Sequence, residues 1–532
     1  MHDTDQRRRL SLRSLAGYAG GVASGAIGAF AFPPFEWAEC GWFFLVPLLV
    51  AASCLPPREA LRIGWLAGFI FWLISIFWLT RVTVVGWLLL VAYCGLFTMP
   101  VAWFSSVWRE RFGVGRLLPN LLYMAFVTVI WVGSEIARCT WFTGFPWNPT
   151  GASQYANIAF IQHARWGGVF AVTALLALAN AAVAVTIMRY LNRQARLARR
   201  PHVELMAAMA VVVAAFVSGG GLARQPVGAG EEVRIALIQP SIAQHDKWTE
   251  DTIDMIYERL WSLTSSAVPL TRPDFAVWPE TALPDDVRLS ERSYDLVAKL
   301  AALGSPLLVG SMDTAFIVNQ RPRFYNSSFL FDTNAVIAGV YEKRHLVLLG
   351  EYVPLHEHIR FITAMTPIME SFSPGMTSTV FRLPGRGIRF SSLICFEDTL
   401  PYLARDSVRN GARLLVNQTN DAWFDPWWAS RQHMILAVFR AVENGVPMVR
   451  AANTGFTCAI DARGRIHEKL LGDGGRHDGP GFLLARAQVA TGGFAPTFYT
   501  RHGDLFGWSC CVAGIASLLG MAWRRFSPTK VL

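Results

Sequence analysis

Long apolar runs constrain this chain more than any other feature of it. They fall at about Leu15 to Phe32, 41–55, 61–80, 84–105, 117–137, 166–188, 204–219 and 505–523. A helix of about 20 apolar residues spans the hydrocarbon core of a bilayer, where every backbone polar group must be bonded internally. The runs therefore predict an α-helical membrane bundle of about eight transmembrane helices, with 41–55 and 204–219 short for the task. Composition agrees, because 53% hydrophobic and 16% charged residues make a chain too apolar for a water-soluble one. Residues 1–14 carry Arg7, Arg8, Arg9 and Arg13 ahead of the first run, as a signal peptide would. No small-x-small cleavage site precedes Pro33-Pro34 and further runs follow at once, so a retained first span is expected.

Arginine placement predicts the orientation. With a cytoplasmic N-terminus, the inner segments hold the first arginine cluster, then Arg58, Arg62, then Arg109, Arg111, Arg116, then Arg189, Arg193, Arg196, Arg199, Arg200, and last Arg524, Arg525 and Lys530. The short outer loops hold only Arg81, Arg138 and Arg165. This asymmetry follows the positive-inside bias. It also accounts for the net charge of +10 without nucleic acid, which is not an expected partner. Three domains result: a membrane domain of seven helices over 1–221, an outer domain over 222–504, and a C-terminal helix with its tail over 505–532. The outer loop from Thr140 to Pro149 is aromatic and turn-rich, as suits a segment in the headgroup region.

After Gly230 the pattern changes to short strand-like runs alternating with amphipathic helical patterns, an α/β rhythm. Strands are expected at 232–239, 274–279, 306–311, 326–332, 336–342, 388–395, 412–417 and 447–452, and helices at 250–265, 290–303 and 429–444. The eight cysteines form no CxxC and no metal spacing, so no zinc site or disulfide scaffold is indicated; a bridge between Cys40 and Cys139 is left open.

Within this domain, Cys395 ends the run Arg389 to Ile394, with Glu397 and Asp398 just behind it. A cysteine in an apolar run is often a small buried hydrophobe. Other strand ends give it company: Glu280 after Trp278-Pro279, Lys343 after Val340-Tyr341-Glu342, and Glu351 in a Gly/Pro-punctuated loop. A thiol must ionise to attack, and a carboxylate such as Glu280 can take its proton and return it to a leaving group. A fixed ammonium such as Lys343 can stabilise the tetrahedral oxyanion, with Glu351 holding the lysine charged and oriented.

The segments WPE (278–280), YEKRHLVLLGEYVP (341–354), LICFED (393–398) and NQTNDAWF (417–424) resemble the nitrilase superfamily. Their attachment behind seven apolar runs, with one more after, is similar to the apolipoprotein N-acyltransferases. The resemblance covers almost the whole chain. It implies an αββα sandwich, a Glu280, Lys343 and Cys395 triad, and Glu351 as an accessory acid. It further implies lipid contacts from Trp248, Asn326, Glu397, Asn420, Trp423 and Phe424; Glu443 also falls on a family position. Two departures stand out. Phe396 replaces a tyrosine common in the family, and Pro426-Trp427-Trp428 is more aromatic than the family pattern.

The implied reaction has two half-steps. Cys395 takes an acyl chain from a membrane phospholipid as a thioester, and the α-amine of a diacylglyceryl-cysteine at a lipoprotein N-terminus then accepts it. The implied location is a bacterial inner membrane with the catalytic domain in the periplasm. No metal or organic cofactor is required, and the oligomeric state is left open, with a monomer favoured. Trp423, Phe424, Trp427 and Trp428 are expected to form a lid at the membrane surface that guides acyl chains. The alternatives are a membrane-tethered carbon–nitrogen hydrolase acting on a soluble amide or nitrile, and a transporter or lipid-binding protein without catalysis. The runs hold few of the internal charges that line transport paths.

Overall fold

A computed structural model describes residues 2–197, 200–225, 230–243, 250–316, 321–348, 350–352, 371–424, 427–470 and 479–526. The chain divides into two compact units, one formed by residues 1–224 with 502–532 and the other by 225–501.

The first unit is helical. Among the described residues five helices are long and apolar enough to cross a membrane: Val84–Phe112, Leu117–Thr140, Val169–Leu191, Val203–Arg224 and Leu505–Trp523. The sequence led to an expectation of eight. The run at 41–55 yields only the nine-residue helix Leu45–Ser53, which at 1.5 Å per residue covers less than half of a bilayer core. Helix Pro57–Ser75 opens on Arg58, Glu59 and Arg62, and helix His2–Phe30 opens on the charged N-terminal segment. These two helices pack tightly because the first carries glycines at 21 and 25 against the second. A Cβ on Gly25 would lie 2.3 Å from Ala67 O, and one on Gly21 would lie 3.0 Å from Ile63 O. Small residues at this spacing let two helix backbones approach in a medium that offers no hydrophobic drive for association. Among the described residues no disulfide joins Cys40 to Cys139.

The second unit is a two-sheet sandwich. Its strands are β1 (Gly230–Gln239), β2 (Phe275–Val277), β3 (Leu307–Ala315), β4 (Arg323–Phe331), β5 (Ile337–Glu342), β6 (Phe381–Arg382), β7 (Arg389–Ile394), β8 (Leu414–Thr419), β9 (Met448–Ala452), β10 (Cys458–Ile460), β11 (Ile466–Lys469) and β12 (Gly481–Ala490). One sheet runs β12-β1-β2-β3-β4-β5 and the other β11-β10-β9-β8-β7-β6. Each has a parallel centre, β1-β2-β3 or β7-β8-β9, flanked by antiparallel strands.

The period-two alternation of strands sorts the side chains. Val233, Ile235 and Leu237 of β1 face the inter-sheet core with Phe275, Phe390, Ile394, Val416 and Val449. Ala236 and Ile238 face outward and pack under Ile256 and Leu260 of helix Glu250–Thr271 and Val297 and Leu300 of helix Glu291–Ala301. Each such large apolar side chain contributes about 1.5–3 kcal/mol when fully buried. Helices Pro401–Arg409 and Trp427–Asn444 pack on the second sheet, giving four layers, α-β-β-α. Ser290 caps the helix that follows it by accepting from Ser293 N, and Gly445, at φ 67°, ends the helix before it.

Candidate active site

Glu280, Lys343 and Cys395 stand at the ends of β2, β5 and β7, so both sheets contribute. After β2, Pro279 cannot donate to the ladder, and the chain turns over Gly310 of β3. A Cβ on Gly310 would lie 2.1 Å from Pro279 O, so only glycine lets the Glu280 turn rest there. Cys395 follows β7 directly at φ 51°, a left-handed conformation that costs a non-glycine residue energy and is kept only where the surroundings impose it. Those surroundings are visible. Asn417 Nδ2 donates to both Leu393 O and Cys395 O, each at 3.1 Å.

Three charged groups converge. Lys343 Nζ lies 2.7 Å from Glu351 Oε1 and 3.2 Å from Glu280 Oε1. Asn326 Nδ2 donates to Glu280 Oε1 at 2.8 Å and to Glu351 Oε1 at 3.4 Å, and the Asn420 backbone N–H donates to Glu280 Oε2 at 3.1 Å. Val347 N–H holds the second oxygen of Glu351 at 2.9 Å. Burial alone would lower the Lys343 pKa, but Glu351 and Glu280 hold it well above the ordinary lysine value, so the ammonium is permanent. Burial pushes the Cys395 thiol well above its ordinary value, and the Glu280 charge adds to this against the opposing pull of Lys343. At rest the nucleophile is therefore a thiol that feels the charges of Glu280 and Lys343.

The other expected residues fall out differently. Asn326 is buried; its Oδ1 has no hydrogen-bond partner among the described residues. Glu397 is fully buried and is spent on the protein itself. Its Oε1 accepts from Arg344 N at 2.7 Å and His345 N at 3.1 Å, and its Oε2 from Tyr341 Oη and Ile394 N, both at 2.8 Å. It ties the Lys343 turn to the Cys395 turn and leaves no oxygen turned to a lipid. Asn420 accepts from Asn453 Nδ2 at 2.9 Å through Oδ1. Trp248 lies outside the described residues. Trp423 and Phe424 sit in the short 3-10 turn Asp421–Phe424, and their side chains lie outside what is described. Trp427 and Trp428, expected in a loop, instead open helix Trp427–Asn444, with Trp427 53% exposed and Trp428 partly so. Glu443 is buried against Arg440, which donates to Thr399 O at 2.9 Å at the end of the nucleophile turn.

Sequence reasoning missed several supporting side chains. Gln418 joins the sheets, donating to Trp278 O at 2.6 Å, two residues before Glu280, and accepting from Ser328 and Ser392. Asp398, Asp421, His433 and Arg450 form a buried cluster behind Cys395. An arginine in the middle of the apolar strand Met448–Ala452 was the one available signal, since arginine is almost never buried unpaired.

Two family models match the chain: an apolipoprotein N-acyltransferase N-terminal domain over residues 24–182 and a carbon-nitrogen hydrolase over residues 234–475. Fold, site and these matches define the class, a carbon–nitrogen hydrolase superfamily enzyme whose catalytic domain is joined to an apolar helical one. Among similar solved structures are Saccharomyces cerevisiae Nit3, at 20% identity and TM-score 0.37 over 50% of this chain and 92% of that one, and a Helicobacter pylori carbon-nitrogen hydrolase, at 15% and 0.36 over 48% and 89%. The apolipoprotein N-acyltransferase of Geobacter metallireducens is 36% identical over 96% of both chains, and that of Allorhizobium ampelinum is 32% identical over 84% of this chain and 86% of its own. The chain belongs to the apolipoprotein N-acyltransferase family.

Proposed function

We propose that this protein transfers a fatty acyl chain from a membrane phospholipid, through a thioester on Cys395, to the N-terminal amine of a diacylated apolipoprotein. The observation that carries the reading is a buried cysteine thiol placed beside Glu280 and a permanently charged Lys343, in a chain with five helices fit to cross a membrane. Glu280 takes the thiol proton as Cys395 attacks the ester carbonyl, and returns it to the departing lysophospholipid oxygen. Lys343 balances the oxyanion of each tetrahedral intermediate, and Glu351 fixes Lys343. In the second half-step Glu280 accepts the proton of the attacking amine and delivers it to the Cys395 sulfur as the thioester C–S bond breaks, restoring thiol and carboxylate. Asn326 offers its unpartnered Oδ1 to the incoming amine, while Glu397 acts through the two turns that it joins. Trp248, Asn420, Trp423 and Phe424 complete the lipid contacts.

The proposal includes eight membrane-embedded helices, a cytoplasmic N-terminus, and a catalytic domain on the periplasmic side of a bacterial inner membrane. Holding the domain at the bilayer gives both lipid-anchored substrates the proximity that diffusion through water cannot. No metal or organic cofactor enters the scheme, and a monomer suffices for it. The test is intact-protein mass after incubation with phospholipid. An acyl adduct on Cys395 that disappears on adding a diacylated lipopeptide is expected, and the absence of an adduct alongside ongoing transfer would refute the thioester.

A further inference from the structure

Behind Cys395 lies a closed ring of four buried charges drawn from four elements. Asp398 belongs to the nucleophile turn, Asp421 to the turn after β8, His433 to helix Trp427–Asn444 and Arg450 to β9. Asp398, His433 and Arg450 are 0% exposed and Asp421 3%. His433 Nδ1 lies 2.8 Å from Asp421 Oδ1, and its Nε2 lies 2.6 Å from Asp398 Oδ1. Arg450 pairs through Nη1 with Asp398 Oδ2 and through Nη2 with Asp421 Oδ2, the latter at 3.2 Å. Each cation thus touches both carboxylates. His433 Nδ1 and Asp421 Oδ1 are hydrogen-bonded, and Nε2 stands in close ion-pair contact with Asp398, so two carboxylates flank the ring and favour its charged, imidazolium form. Two negative and two positive charges cancel.

Four desolvated charges are a poor way to gain stability, since apolar side chains of similar volume often serve as well or better. The ring's geometry indicates another use. Asp398 is three residues from Cys395, and Asp421 directly follows Asn420, whose N–H donates to Glu280 Oε2. The helix that supplies His433 also sends Arg440 to Thr399 O, gripping the nucleophile turn a second time. The ring therefore spans the two turns that position the nucleophile and its base.

We propose that His433 is a positioning residue for acylation: its charged ring locks the Cys395 turn to the Asn420 turn, keeping thiol and carboxylate at proton-transfer distance. The inference rests on the thioester reading above. Among the described residues the titratable and charged groups around His433 include Asp398, Asp421 and Arg450, with the Cys395 and Cys458 thiols interacting with Arg450. Burial pulls the His433 pKa down, but Asp398 and Asp421 raise it to about 9 against the opposing Arg450. Because the folded value is the raised one, the stabilisation is fully present below the ordinary value of 6.5 and is lost as pH rises through about 9. Acylation should then slow above pH 9, although rising pH makes more thiolate and by itself would speed it.

The experiment follows the acyl adduct on Cys395 by intact mass, using the full chain in detergent. The acyl donors are a short-chain phospholipid and, separately, a soluble thioester, from pH 6 to 10. Wild type should show a falling limb near pH 9 with both donors. His433→Gln should acylate about 10²-fold more slowly at pH 7, the usual scale for small misplacements of a catalytic group, and should lack the limb. His433→Gln within twofold of wild type at pH 7, or with the limb intact, overturns the inference. Should that variant fail to fold, the wild-type profile decides, because a rate that does not fall between pH 8 and 10 overturns it equally. Wild type forming no adduct with either donor would remove the thioester reading and this inference together, whereas a wild-type adduct with an unaltered variant removes only this inference.

Discussion

Replacing Glu280 by glutamine tests the proposed base with almost no change of shape. Glu280 Oε1 accepts from Lys343 Nζ and Asn326 Nδ2, and Oε2 from the Asn420 N–H. A glutamine keeps one acceptor and turns the other into a donor that must face an existing donor. With the amide nitrogen at the Oε2 position the bond from the Asn420 N–H is lost, and at the Oε1 position those from Lys343 and Asn326 both are, so the first orientation is preferred, at about 1–3 kcal/mol. The chemical loss is larger, since a positioned general base contributes about 10²–10⁴-fold to rate. The expected outcome is a 10²–10⁴-fold slower appearance of the Cys395 adduct in rapid-quench mass spectrometry, with phospholipid KM nearly unchanged. The residual rate should climb steadily from pH 6 to 8.5. Burial still holds the thiol above its ordinary value, so each increment of pH supplies more of the attacking thiolate. Adduct formation at the wild-type rate in Glu280→Gln, or a residual rate independent of pH, would refute Glu280 as the base.

Cys395→Ala should abolish transfer to a diacylated lipopeptide while leaving membrane insertion intact; measurable acylation by the purified variant would count against the mechanism. Glu397→Gln should lower the thermal midpoint and kcat together, because its four hydrogen bonds join the Lys343 and Cys395 turns, and calorimetry with steady-state kinetics reads both. A periplasm-active reporter fused near Gln225 should be active and one near Arg196 silent, and the reverse pattern would place the catalytic domain in the cytoplasm. Trp427→Ala with Trp428→Ala should reduce kcat/KM for long-chain phospholipid much more than for a short soluble thioester, since Trp427 is largely exposed; equal losses with a lower Tm would make both rings structural.

The central strands were legible because each is an apolar run broken by a polar residue at its end, and the functional side chains sit at those breaks. β12 escaped notice because its inward residues include the small Ala485 and Ala487, which blunt the alternation that a larger pair would have displayed. β10, three residues long, gives no periodicity to read. Hydropathy exposed the membrane runs, and five of the eight correspond to described helices long and apolar enough to cross; a short run and a charged helix start set the others apart. The residue types of the proposed triad suggested their chemistry, yet a carboxylate's burden of hydrogen bonds is a tertiary fact. Glu397 therefore read as a lipid contact although its oxygens are occupied. His433 and Asp398 lie too far apart in sequence for their pairing to be seen.

Pairing of β1 with β12, ten residues in register from Gly230↔Ala490 to Gln239↔Gly481, has a consequence for how the protein is made. β1 is the first strand of its domain to leave the ribosome, and the neighbour on one of its sides is the last. Between them lie roughly 240 residues, or on the order of 10–50 s of synthesis at about 5–20 residues per second. Throughout that interval Val233, Ile235 and Leu237 stand on an unsealed strand edge, the usual template for mispairing with another chain. Completion of the sheet is thus a late, long-range event, and one that slows folding of the domain as non-local strand pairing does in general.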